Sequence, residues 1–190
     1  MAFPAFLDTC TLFGQCLCDV LLSIAEQGAF TPYWSGRVLA AVERSVVERG
    51  HASPESMSRR TAAMRRAFPQ AEVTGFEHLI DSMTNHPGDH HVLAACIRSP
   101  AQTLVTFNIK DFPAESLDPY EIHVVHPDHF LLDQLDLHPQ RVADAIWKML
   151  ERNQLPPRDL ARLAEYLTAC DVPRFAAAIC DLPQRIPTPD

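Results

Sequence analysis

Four carboxylates stand at places where chemistry could use them. Asp8 closes the apolar run "FPAFLD", and Asp89 opens the apolar stretch "DHHVLAAC". Asp111 follows "TLVTFN", which itself ends in Asn108. Glu43 lies inside "LAAVERSVV", where Leu39, Val42, Val46 and Val47 form the apolar stripe of a helix. Glu43 stands at i+4 from Leu39 and i−3 from Val46, within or beside that stripe, where a lone carboxylate is costly unless paired or metal-bound. Each residue also has a plain structural reading. Asp8 and Asp89 suit helix caps, Glu43 can bend out to water, and Asn108 and Asp111 suit a turn. Taken together they put oxygen ligands at the ends of two strands and on two flanking helices. Hard oxygen donors suit Mg²⁺ or Mn²⁺, and such a cluster can activate water against a phosphodiester.

The elements that must position these residues follow from periodicity and punctuation. "FPAFLD" predicts a strand, and "CLCDVLLSIAEQG" predicts a helix stopped by Gly28. "AFTPYW" reads as a brief extended link. Ser35 caps a helix closed by Gly50, and Ser53 caps another with Pro54 at its first position. "FEHLIDSM" predicts one more short helix, and a further helix runs from Asp89 to about Arg98. "QTLVTFN" and "EIHVVH" predict two more strands. Strands separated by helices imply parallel pairing, and ligand crevices in such sheets lie beyond the carboxyl ends of the strands. Asp8 and Asp111 stand at such ends. After "HPDHFLLDQLDLHP" the texture changes to short amphipathic helices broken by "LPP" and "DVP". The expected architecture is an α/β body over 1–133 and a helical C-terminal extension over 134–190. Its closing residues, "PQRIPTPD", are expected to fray.

Composition narrows the function. Of 190 residues 47% are hydrophobic, enough for one ordinary core, and no apolar run approaches the ~20 residues of a membrane span. "MAFPAFLDTC" does not read as a secretory signal. A net charge of −8 argues against a protein that coats nucleic acid through a broad basic surface, so any such contact is local or metal-assisted. The segment "SRRTAAMRR", with Arg59, Arg60, Arg65 and Arg66, is either a solvated helix face or one such local contact. None of the six cysteines forms a C-x-x-C pair, which fits a reduced cytoplasm. The histidines of "HPGDHH" and "HVVHPDH" show no standard zinc spacing, and strand alternation turns His123 and His126 to opposite faces.

The motifs "FLDTCTLF", "MTNHPGDHHVLAAC", and "LVTFNIKDFP" followed by "HPDHFL" resemble, in order, those of the PIN-domain family, and within it the VapC-type toxin ribonucleases. The resemblance covers residues 3–132. It implies a parallel sheet flanked by helices and a Mg²⁺-binding (or Mn²⁺-binding) acidic pocket that cleaves RNA. It also implies a cognate antitoxin as partner and a homodimer. Asp8, Glu43 and Asp89 match the first three acids of the family, and Asn108 and Asp111 share the fourth position. Thr9, Thr106, Asn108 and His90 are then substrate contacts. Two departures stand out. Some relatives carry the helical Glu two residues earlier, where this chain has Ala41, and Asp-Arg-His is replaced by Asp-His-His. The alternative is a PIN-like RNA-binding or regulatory module without catalysis.

Overall fold

The computed structural model describes residues 2–182; the expected fraying of "PQRIPTPD" lies outside the described residues. Five strands, β1 (Phe3–Leu7), β2 (Phe30–Ser35), β3 (Glu72–Val73), β4 (Thr103–Val105) and β5 (His123–Val125), form one sheet in the order β3-β2-β1-β4-β5. Every pairing is parallel, so the α/β architecture read from the sequence holds. The chain separates into two compact units, residues 1–15 with 30–127, and residues 16–29 with 128–190.

The first unit holds the sheet with α1 (Thr9–Phe13), α3 (Gly36–Glu48), α4 (Pro54–Ala67), α5 (His90–Arg98) and α6 (Ala114–Leu117). Its central strand β1 ends in three fully buried residues, Ala5, Phe6 and Leu7. Beside it lies β4, registered Ala5 to Thr103 and Leu7 to Val105. The segment read as a link is in fact a strand, β2, paired with β1 along four residues. Pro32 disguises it. The Trp34 amide donates to Ala71 O, so the nitrogen two residues earlier points to the same side. There β3 pairs only with Trp34 and Ser35, and the missing N–H of Pro32 leaves no ladder bond unmade. The short helix expected at "FEHLIDSM" is a 3₁₀ segment, Glu77–Ser82.

The helices nearest the carboxylates start on their predicted caps. Ser35 Oγ accepts from Val38 N, and Ser53 Oγ from Ser56 N with Pro54 at the first position. α3 buries Val38, Leu39, Val42 and Val46, the stripe read from its periodicity.

Among the described residues the elements of the second unit are all helices: α2 (Gln15–Glu26, from Cys16 onward), α7 (Pro127–Leu137, from Asp128 onward), α8 (Pro139–Arg152), α9 (Leu160–Ala169) and α10 (Pro173–Ile179). Its boundary falls after Pro127 rather than after residue 133, and it recruits α2 from the N-terminal part of the sequence. The reason lies on α8. Arg141 donates to Gly28 O, Lys148 Nζ to Gln27 Oε1 at 2.8 Å, and Arg152 Nη2 to Ser23 Oγ at 3.0 Å. Gly28 ends α2 with φ of 74°, the left-handed stop its position predicts. Buried Asp128 accepts from the amides of Arg174 (3.2 Å) and Phe175 (2.8 Å), satisfying first-turn donors of α10 that have no partner within their own helix. Among the described residues no helix is long and apolar enough to cross a membrane.

Candidate metal centre

Asp8 is the anchor of the site. It follows β1, caps α1 and is 1% exposed. Its Oδ1 accepts from Thr9 N at 2.5 Å; its Oδ2 accepts from Thr106 Oγ1 at 2.7 Å and from Cys10 Sγ at 3.1 Å. The backbone holds the same place, since Asp8 N and Thr11 Oγ1 both donate to Val105 O, at 3.1 and 2.9 Å. A buried carboxylate with three donors is oriented before any ligand arrives. Cys10 takes part as a neutral thiol, because burial first and the Asp8 charge second push its pKa up to about 11.

Thr106, expected to touch substrate, is fully buried. Its hydroxyl serves Asp8, and it accepts from Asn108 N at 3.0 Å, which makes it a positioning residue. The Thr9 amide is engaged by Asp8 in the same way. Asn108 is exposed and precedes the 3₁₀ turn Ile109–Asp111, with no side-chain cap bond. Half-buried Asp111 is tied to the other loop through its carbonyl, which accepts from His86 N at 2.9 Å.

Asp89 occupies the N-cap position of α5, yet its side chain makes no cap hydrogen bond. The preceding 3₁₀ turn Pro87–Asp89 delivers it with φ of −113° and ψ of 7° instead of the extended backbone of a capping aspartate. The carboxylate is therefore spent elsewhere. Burial raises its pKa to about 6, with the charges of Asp8 and then Asp111 acting the same way; His86 and His90 oppose this. His86 Nδ1 lies 3.7 Å from Asp89 Oδ2, and His90 Nε2 is 3.0 Å from Asn85 O. Asp8, Asp89 and Asp111 thus form one electrostatic group.

The raised pKa has a signed consequence. A carboxyl whose folded value exceeds its unfolded value contributes stability below the unfolded value and loses it as pH rises through the folded one. For Asp89 that window runs from 3.8 to about 6. Asp89→Asn is expected to stabilise the metal-free protein near neutral pH by on the order of 1 kcal/mol, after discounting the shift for solvent screening. The gain should shrink as pH falls through the window. Thermal melts of both proteins across that range check this, and a pH-independent difference would contradict it.

Glu43 is placed differently. It is half-buried on α3 as its register predicts, but its carboxylate accepts from Thr61 Oγ1 on α4, and it is absent from the charges acting on Asp89. With Arg44, Val47 and Met57 it lines an open groove of about 440 Å³ between α3 and α4. His91, in the first turn of α5, has its pKa lowered by burial and then by Arg37, with Asp8 and Arg44 also in electrostatic range. Arg37 and Arg44 stand seven residues apart on α3.

Among the described residues no three His, Cys, Asp or Glu side chains form a ready ligand set for a metal ion. The three aspartates nonetheless fit a hard divalent cation in kind. All their donors are oxygen, and the mutual repulsion that adds to burial in raising the Asp89 pKa is what such a cation relieves. Mg²⁺ in particular retains waters and takes only one or two carboxylates from many proteins.

Residues 127–181 match the VapC50 C-terminal domain family, a span beginning one residue before the C-terminal segment of the second compact unit. The chain is similar to "Putative ribonuclease VapC50" of Mycobacterium tuberculosis (strain ATCC 25618 / H37Rv), with 40% identity over 123 residues, covering 65% of this chain and 72% of the relative. No solved structure matches the chain significantly. The parallel sheet, the acids at its carboxyl edge and this degree of identity agree, and the chain belongs to the VapC-type family of PIN-domain ribonucleases.

Proposed function

We propose that this chain is a divalent-metal-dependent endoribonuclease of the cytoplasm and the toxin of a toxin–antitoxin pair, with an antitoxin protein as partner and Mg²⁺ or Mn²⁺ as cofactor. The observation that carries this reading is the grouping of Asp8, Asp89 and Asp111 beyond the ends of β1 and β4, with the Asp89 carboxyl raised by burial first and by the charges of the other two after it. The relative's name supports RNA as substrate and, through its family, an antitoxin as partner. A homodimer completes the expected assembly.

Asp8, Asp89 and Asp111 would hold the metal, with Asn108 within the same loop as Asp111. When bound, the ion supplies Lewis-acid polarisation of a phosphate oxygen and lowers the pKa of an attacking water. The protein's own part is positional. Thr106 and Cys10 fix the Asp8 carboxylate, and the 3₁₀ turn before α5 frees that of Asp89. No side chain need act as a covalent nucleophile. The reading is tested by incubating the purified protein with end-labelled RNA with and without Mg²⁺. Metal-dependent fragments are expected, and intact RNA in both would overturn it.

The engagement of Glu43 by Thr61 favours a second reading, a PIN-like module that binds RNA without cutting it, because a helical acid is then missing from the metal group. The same incubation separates the two. For Glu43 we expect a structural role: Glu43→Ala should lower unfolding free energy by about 1.5–3 kcal/mol, the worth of a hydrogen bond to a charged group. Mn²⁺ affinity should hold, and Glu48→Gln, on an exposed position, should change neither. Calorimetric Mn²⁺ titration of the variants checks this; a loss of affinity confined to Glu43→Ala would return Glu43 to the metal.

A further inference from the structure

The arginines of the first unit divide into those already used and those not. Arg60, in the basic run of α4, donates to Leu12 O (2.7 Å) and Phe13 O (3.4 Å), while its neighbour Arg65 pairs with Glu72 at 2.6 Å. Arg49 lies over the Phe13 ring, 5.0 Å from its centroid. Half of the α4 cluster read as a local phosphate contact is therefore structural.

Arg37 and Arg44 are exposed, and among the described residues neither forms an ion pair or a hydrogen bond. Seven residues apart, they lie within about 20° of each other around α3, on the ridge opposite its buried stripe. α3 leaves the carboxyl end of β2, which lies beside β1 in the sheet, and packs against α1, the helix that Asp8 caps, so Arg37 in its first turn stands at the sheet edge where Asp8 lies. Both arginines and Asp8 are also within electrostatic reach of His91. Between them α3 carries Ala41, too short to put a carboxylate on that ridge. Unpaired cations beside a group of carboxylates are poised for an anion larger than either. An RNA strand is such an anion, since a phosphate over the metal group leaves its neighbours alongside the group.

We infer that Arg37 and Arg44 are substrate-binding residues that grip the phosphates flanking the scissile one, supplying locally the positive charge that the chain as a whole lacks. This rests on the ribonuclease reading and assigns contacts within the same site. Arginine suits the task because its planar fork is always charged and matches phosphate oxygens in pairs. The consequence is a split between two ligands. Loss of either arginine should weaken RNA binding and raise KM, with kcat little changed and metal affinity intact or slightly higher.

The experiment uses a labelled single-stranded RNA of mixed sequence and the Asp8→Asn protein, which is expected to retain the strand without cutting it. Binding is measured across a salt series for that protein and for the same protein carrying Arg37→Gln, Arg44→Gln or Arg98→Gln. Arg98 is an exposed control that removes the same charge at the far end of α5. Each of the first two is expected to make the plot of log affinity against log salt shallower by about 0.7, the loss of one phosphate contact on a single strand. Arg98→Gln should leave the slope unchanged. Circular dichroism of these proteins, and Mn²⁺ titration of the single arginine variants with Asp8 intact, confirm that fold and metal group persist. Slopes equal to the control's would overturn the inference. Wild-type cleavage is assayed alongside: if it occurs and the slopes do not change, only the arginine assignment falls. If wild type does not cut RNA but the arginine slopes do change, the contacts stand and the catalytic reading falls.

Discussion

Asp8→Asn is expected to remove RNA cleavage while leaving the protein folded. The loss should be at least about 100-fold, because even residues that merely support a metal ligand contribute 10–100-fold. Asparagine preserves the shape of Asp8 and keeps one oxygen for the Thr9 amide. Its amide nitrogen would meet the Thr106 hydroxyl and the Cys10 sulfur in place of Oδ2, and the hydroxyl can turn to accept. The exchange of one charge-assisted bond costs about 1 kcal/mol and is partly offset by relief of repulsion with Asp89. A second readout belongs to the same variant. Asp8 is one of the two charges that raise the Asp89 carboxyl, so its removal should bring the Asp89 pKa down from about 6. Cleavage assays and carboxyl-resolved NMR titration test the two halves. Cleavage at the wild-type rate by the folded variant would remove Asp8 from the chemistry.

Chelation is expected to be as complete in its effect. Excess EDTA should abolish cleavage, and Mg²⁺ or Mn²⁺ should restore it. Ca²⁺ should bind and support little turnover, because its larger, looser shell positions water and phosphate less well than an octahedral ion. The same titration has a stability readout that needs no RNA. Metal relieves the repulsion among Asp8, Asp89 and Asp111, and a ligand that binds only the folded state at a hundred times its Kd stabilises by about 2.7 kcal/mol. Melting temperature should rise with Mn²⁺ in wild type and hardly at all in Asp8→Asn. Undiminished cleavage in excess chelator would exclude the metal mechanism altogether.

The sequence by itself determined the elements and the face each residue takes. The apolar runs before Asp8 and Asn108 fold as β1 and β4, and the period of "VLAAVERSVV" sets the buried stripe of α3, because strand and helix geometry are properties of a few neighbouring residues. Asp89 was legible as the start of α5 for the same reason, although the turn that withholds its side chain from capping was not. Periodicity says which way a side chain points and nothing about what waits there. Glu43 was placed at the edge of its stripe, and only the packing of α4 beside α3 put Thr61 in front of it. Thr106 looked like a free hydroxyl at a strand end until the parallel pairing of β1 with β4 brought it onto Asp8. Pro32 hid β2, because its tolerance depends on where a different strand, β3, begins. The recruitment of α2 to the C-terminal helices, and the packing of α3 against α1 that carries Arg37 to the Asp8 edge of the sheet, were likewise decided by contacts between residues far apart in the chain. Such contacts are specified by the joint fit of many surfaces, which no local run of residues carries.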